Sequence, residues 1–179
     1  MKFQPFPEIE SERLILRKIV KSDSQAMLFL RSEKTVNKYN DTPEEKKIKN
    51  LSDAIKWVKK VDEYIEKNEG IIWGITFKND PRLIGTIGIG NFSNNYKTAE
   101  VGFELDPKFH SKGIMSETLK KIIDFGFIEL KLDKIEAITH NENESSIKLL
   151  DRNGFSLNEN RKDPDNKSTI FYELEKSSS

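Results

Sequence analysis

The apolar positions change period along the chain, and the changes lay out its elements. Residues 1–12 read as a lead-in. Leu14-Ile15-Leu16, between Arg13 and Arg17, gives a short strand. Ser22-Asp23 caps a helix running to about Ser32. Thr42-Pro43-Glu44-Glu45 starts a second helix, with Pro at the first helical position and acids in the first turn. Behind it Ile48, Leu51, Ile55, Val58, Tyr64 and Ile65 recur at helical spacing to about Asn68. The period then shortens. Ile71 to Phe77 and Leu83 to Ile89 form a hairpin about the turn Lys78-Asn79-Asp80-Pro81-Arg82. After the polar loop Asn91 to Thr98, Ala99 to Leu105 is a further strand, ended by Asp106-Pro107.

Helical spacing returns from about Lys112 to Leu130, through Ile114, Leu119, Ile122, Ile123, Phe127 and Leu130. Ile135 to Thr139 is a strand. Asn143 caps a helix of about ten residues that stops at Asn153-Gly154. Phe155 to Asn158 and Thr169 to Glu173 are the last strands, and Ser177 to Ser179 form a disordered tail. The pattern predicts one domain over 1–179, with a core of about 11–174. Its first half is antiparallel and its second half is β-α-β-α-β.

Composition narrows the chemistry. Zero net charge argues against nucleic acid or an anionic membrane as partner. The absence of cysteine excludes disulfides, thiolate metal sites and a cysteine nucleophile, and two histidines, His110 and His140, make a metal site improbable. No apolar run approaches the ~20 residues that cross a bilayer, and no signal peptide is evident. A cytoplasmic protein is expected.

Two stretches carry candidate chemistry. From Glu100 to Glu117 a strand runs through a loop with Ser111, Lys112 and Gly113 into a helix. Free backbone N–H groups and a helix N-terminus suit a phosphate, and Gly113 lets the backbone approach an anion closely. A bare turn before an amphipathic helix would look similar. In the second stretch, Asn143 to Phe155, Asn143 reads as an N-cap and Ser146 as a first-turn residue that tolerates exposure. Gly85-x-x-Gly88-x-Gly90 opens no helix, so those glycines ease strand packing and do not form a dinucleotide site. His140 reads as a loop histidine. The lysines at 46, 47, 49, 59 and 60 form the wet face of the long helix. Trp57 and Tyr64 fit core packing, with an acceptor groove as the other option.

Five segments in order resemble the GNAT superfamily of acetyl-CoA-dependent N-acetyltransferases, and within it the RimJ/RimL type that modifies ribosomal-protein N-termini. They are Glu12 to Arg17, Trp73 to Phe77 with Leu83 to Gly88, Ala99 to Pro107, Ser111 to Glu117, and Asn143 to Phe155. The resemblance implies an α/β (α+β) fold, with a mixed, mostly antiparallel sheet splayed into a V and flanked by helices. Acetyl-CoA would lie in the V. The backbone of Phe103 and Leu105 would pair with its pantetheine arm. The loop and helix start at His110, Ser111, Lys112, Gly113, Ile114, Met115 and Ser116 would cradle the pyrophosphate, with Asn143 and Ser146 completing the cofactor site. His110 stands where the family has Gln or Arg, and Met115 is bulkier than its usual Gly or Ala.

The resemblance also implies roles in transfer to a primary amine. A strand N–H near Phe103 would stabilise the thioester oxygen. Many members protonate the departing thiolate with a Tyr, but Leu150 stands at that position, and Ser146 matches the alternative donor. Glu100, acting through water, is the first choice of base and Glu104 the second; strand alternation puts both on one face. No metal is implied. The acceptor would be a protein N-terminus or a small-molecule amine, and the protein a monomer or homodimer. A non-catalytic acyl-CoA-binding module is the alternative.

Overall fold

A computed structural model describes residues 2–39 and 42–177. One eight-stranded sheet runs through the molecule. Its strands are β1 (Ile9–Glu10), β2 (Leu14–Lys18), β3 (Gly70–Phe77), β4 (Asp80–Gly90), β5 (Thr98–Leu105), β6 (Lys134–His140), β7 (Ser156–Leu157) and β8 (Thr169–Glu175). The helices are α1 (Ser24–Ser32), α2 (Leu51–Glu66), α3 (Ile114–Asp124) and α4 (Glu144–Arg152). The spatial order is β1-β2-β3-β4-β5-β6-β8-β7. Every neighbouring pair is antiparallel except β5 with β6, as the change of pattern after Leu105 requires.

Two apolar clusters hold helices to this sheet. Trp73, Ile87 and Ile89 pack with Ile114, Leu119 and Ile122 of α3. Met27 and Leu30 of α1 and Ala54 and Val58 of α2 form a second cluster with Ile19, Ile48 and Leu83. Residues 1–12, expected as a lead-in, are part of the packing. Phe3 is fully buried, Ile9–Glu10 adds an edge strand, and Pro7 O accepts from Trp73 Nε1 at 2.7 Å. Alternation over two residues is too short to register as a strand in the sequence.

Several boundaries differ from the sequence reading for identifiable reasons. The second helix does not begin at Thr42-Pro43. Glu44–Lys46 makes a single 3-10 turn, and α2 starts behind Asn50, whose side chain accepts from Asp53 N at 3.0 Å. The side-chain cap fixes the start where Pro and acids alone do not. Lys46, Lys47 and Lys49 therefore precede that helix, and of the five lysines expected on its wet face Lys59 and Lys60 lie there. Asp23 does not cap α1 through its side chain; it turns back to Val20 N (2.8 Å) and forms a two-pronged pair with Arg17 (2.8 and 2.8 Å). The third helix ends at Asp124 and continues as a π-turn, Phe125–Glu129, which sets the Phe125 ring edge-on to Trp73 at 5.2 Å. Of the expected disordered tail, Ser178 and Ser179 lie outside the described residues.

The glycines of β4 serve packing, as their order suggested. Gly70 and Gly90 are register partners, and the Tyr64 side chain lies over both. A Cβ on Gly90 would stand 2.0 Å from Tyr64 Oη and 3.1 Å from its Cζ. Tyr64 is thus a packing residue. Gly90→Ala is expected to cost about 2 kcal/mol by overpacking, roughly 4–8 °C in Tm. Because Oη makes the closest contact, the penalty should largely vanish in a Tyr64→Phe background. Thermal denaturation of the double-mutant cycle checks this; equal penalties in both backgrounds would refute it.

Candidate active site

The centre of the sheet is not continuous. β5 keeps register with β4 from Gly90↔Glu100 to Gly85↔Leu105, while its pairing with β6 stops at Val101↔Ala137. β6 stays with β8 through His140↔Thr169. Each strand is held by its outer neighbour, so the two part beyond Val101 and leave a V.

The hydrogen-bond phase decides what faces this gap. Asp106 N donates to Ile84 O at 2.9 Å, in the same register as the β4–β5 ladder. In an antiparallel pair the bonded residues alternate, so Glu104, Gly102 and Glu100 also direct their backbone groups to β4. Phe103 and Leu105 direct theirs to the other side, where no strand partners them among the described residues. Lys97, in the same phase, accepts from Lys134 N at 3.1 Å across the paired end. The open segment therefore presents the N–H and C=O of two alternate residues, as an edge strand does. The Leu105 carbonyl has one partner already: His110 Nε2 lies 3.0 Å from it. A carbonyl only accepts, so Nε2 carries the proton. This use of the His110 side chain leaves no local pattern by which it could be read in advance.

Beyond β5 the chain makes the turn Pro107–Phe109 and then a loop in which Ser111 (φ 59) and Gly113 (φ 74) are left-handed. Gly113 is the N-cap of α3 and supplies no side chain to it. The first intrahelical bond is Glu117 N to Gly113 O at 3.0 Å, so the amides of Ile114, Met115 and Ser116 have no helical acceptor. Ser111, Lys112 and Gly113 are exposed. The bulk of Met115 is taken up against the core, and the Ser116 hydroxyl turns to Asn153, the C-cap of α4. The side chains of Met115 and Ser116 are thus engaged elsewhere, while the first amides of α3 stay free for an anion. The glycine is needed for its φ; a Cβ there would point at the Arg13 guanidinium, 3.6 Å away.

The neighbouring helix start is built differently. Asn143 Oδ1 accepts from Ser146 N at 3.2 Å, the N-cap expected from the sequence. Ser146 is 9% exposed, against the expectation of an exposed first-turn residue, and its hydroxyl makes no hydrogen bond among the described residues. Leu150, one turn on, is fully buried.

Glu100 and Glu104 share a face of β5, as alternation predicted, and α1 reaches that face. Glu104 accepts from the Thr86 hydroxyl at 2.9 Å, and Arg31 Nε lies 2.9 Å from the same carboxylate. That N–H is not aimed at the oxygen, so the contact is an ion pair and not a hydrogen bond. The Arg31 guanidinium stacks over Trp57 at 4.7 Å. Glu100 sits where the strands part and accepts from Asn91 Nδ2 at 3.1 Å. Gly102, between the two acids, has nothing within 4 Å of where a Cβ would be. His140 is not a loop residue: it ends β6, with its ring stacked on Tyr39 at 5.1 Å. No group of three or more metal-binding side chains occurs among the described residues.

One anchor beneath the loop was missed in the sequence. Glu117 accepts from Ser11 Oγ (2.6 Å), Arg13 N (2.9 Å) and Arg13 Nε (2.7 Å), while Arg13 Nη1 donates to Lys112 O at 3.1 Å. Residues about a hundred positions apart leave no local pattern. Burial pushes the Glu117 carboxyl up, but the bonds from Ser11 and Arg13 outweigh it and hold the group below its ordinary 4.5. A carboxylate depressed on folding stabilises the fold above its unfolded value, and the stability is lost as pH falls through the folded value. Wild type should therefore lose more stability than Glu117→Gln as pH drops below 4.5. Urea titrations between pH 6 and pH 3 check this; parallel curves would refute it.

The comparisons agree with this geometry. Residues 13–156 match the family model described as "Acetyltransferase (GNAT) domain". The uncharacterized N-acetyltransferase YoaA of Bacillus subtilis (strain 168) is 33% identical over 150 residues, covering 84% of this chain and 83% of that protein. Among solved structures, the ribosomal-protein-S5-alanine acetyltransferase of Vibrio fischeri superposes with TM-score 0.79 at 22% identity, covering 94% of this chain and 96% of that one. The ribosomal L7/L12 acetyltransferase RimL in complex with coenzyme A gives TM-score 0.79 at 19% identity, covering 94% and 98%. At these identities the two structures show the fold alone, the open mixed sheet expected from the sequence. No described helix is long and apolar enough to cross a membrane. The chain belongs to the GNAT family and is an acetyl-CoA-dependent N-acetyltransferase.

Proposed function

We propose that the chain moves the acetyl group of acetyl-CoA onto a primary amine, of a protein N-terminus or a small molecule, by direct attack in a ternary complex. The observation that carries this is the backbone phase of β5. Phe103 and Leu105 offer strand-like pairing to the pantetheine arm, and that edge leads directly into the loop from His110 to Ser116, whose amides suit the pyrophosphate. Asn143 holds the start of α4 at the end of β6. The reaction is read as cytoplasmic, in a single domain acting as monomer or homodimer. A ribosomal-protein terminus is one acceptor class, favoured by the fold shared with RimL; a polyamine is another, favoured by the spermidine N(1)-acetyltransferase of Escherichia coli (strain K12), 28% identical over 44% of this chain.

In this reading the Phe103 N–H stabilises the oxygen of the tetrahedral intermediate. Glu100 takes the amine proton through water, at the point where the strands part. Glu104 is the poorer base, because Thr86 and Arg31 already engage it. Ser146 gives its proton to the departing thiolate. A thiol with pKa about 8.5 leaves fairly well unaided, so this step contributes on the order of 10²-fold or less.

Thiol release from acetyl-CoA against a panel of amines tests the activity; release with no amine of the panel would favour a non-catalytic acyl-CoA-binding module. Ser146→Ala should lower kcat by up to ~10²-fold while acetyl-CoA affinity is retained. Its melting temperature should hardly move, since the hydroxyl that is lost makes no hydrogen bond among the described residues and is not among the buried unpartnered atoms. Asn143→Ala should instead cost roughly 1 kcal/mol as a lost cap. Wild-type turnover by Ser146→Ala would move the donor role to water.

A further inference from the structure

We propose that Arg13 is a positioning residue for acetyl-CoA, acting by fixing the orientation of the Lys112–Gly113 peptide. The proposal rests on the reading of residues His110 to Ser116 as the pyrophosphate loop. In a trans peptide the C=O and the following N–H point in opposite directions. Arg13 Nη1 holds the Lys112 carbonyl at 3.1 Å. The Gly113 N–H is thereby turned to the opposite side, away from Arg13.

The peptide needs such a hold. It ends at Gly113 (φ 74), and glycine adopts the mirror conformation about as readily. A flip would exchange an N–H for a carbonyl, and a carbonyl at an anion site repels where the amide attracts. No side chain caps α3 to fix its first turn from the helix side.

Arg13 can do this because it is itself clamped. Its Nε pairs with Glu117 Oε2 at 2.7 Å, its backbone N–H donates to Glu117 Oε1 at 2.9 Å, and Ser11 Oγ donates to that same oxygen at 2.6 Å. Glu117 lies in the first turn of α3, so the clamp joins the bend before β2, which carries Arg13, to the helix and the loop together. The guanidinium is planar and donates in two fixed directions, one to the carboxylate and one to the carbonyl. A lysine ammonium is a point charge without that fork. The role belongs to geometry and not to charge, since Glu117 already balances the charge.

The test compares Arg13→Gln and Arg13→Lys with wild type, using acetyl-CoA and S-acetylpantetheine, which carries the thioester but no pyrophosphate. Both variants should raise KM for acetyl-CoA about tenfold, on the order of one charge-assisted contact. The kcat, the KM for the amine and the affinity for S-acetylpantetheine should stay as in wild type. A generally loosened fold would move all of these together with the melting temperature, and that pattern overturns the proposal. Arg13→Lys keeps the ion pair to Glu117 and decides the matter if Arg13→Gln does not fold: acetyl-CoA affinity equal to wild type in Arg13→Lys leaves charge alone as the role of Arg13 and overturns it. If wild type itself binds acetyl-CoA no better than S-acetylpantetheine, the pyrophosphate assignment fails, a result distinct from failure of the Arg13 role.

Discussion

A backbone amide or carbonyl removed from water needs a partner, and the structure turns on where β5 fails to supply one from within the chain. Up to Val101 its outward groups pair with β6; from Phe103 onward they do not, because β4 keeps β5 in register and β8 keeps β6. The unpaired stretch is a strand edge inside the sheet, with packed helices around it. A ligand with amide groups in an extended arm can complete that edge, and few other small molecules can. The divergence thus sets the kind of cofactor before any side chain is considered.

The two helix starts beside the gap divide the remaining work. α4 has a side-chain cap in Asn143, which satisfies the Ser146 amide and fixes the first turn. α3 has glycine at that position and leaves its first amides unassigned. In the proposed reading this difference is chemical: the capped helix builds a rigid mount for the Ser146 hydroxyl, and the open one keeps donors for the pyrophosphate. The cost of the open start is a loop with little local restraint. The contacts among Ser11, Arg13 and Glu117 supply restraint from a segment distant in the sequence.

This division explains what could be read from the sequence. Asn143, the left-handed glycine at 113 and the strand ending in Asp106-Pro107 act through local backbone geometry, so their residue types announce them. The helix ending at Gly154 and the hairpin of β3 and β4 are legible for the same reason. The burial of Phe3, the turn of His110 onto Leu105 O and the bond from Ser11 to Glu117 are tertiary contacts with no local period. Asn50 displaced the expected helix start at Pro43 because a side-chain cap with a real acceptor outweighs a first-turn preference. Ser146 was placed in the right turn but on the wrong side of the surface, since burial of a first-turn residue depends on what packs against it.

In the proposed reading the acceptor face is built from side chains, and that is why no short motif names the acceptor. On the face shared by Glu100, Gly102 and Glu104, register carries the same side across to Glu136 and Glu173. Each of these acids already has a partner: Asn91 for Glu100, Thr86 and Arg31 for Glu104, Arg161 and Lys134 for Glu136, Lys134 and Asn158 for Glu173. An approaching ammonium therefore meets carboxylates whose charge is shared, beside a bare Gly102 and an exposed Ile138. Paired charges give directional oxygen acceptors with little net field. Discrimination among amines on such a face follows from shape and from which pair can be displaced, and both are set by residues distant in the sequence.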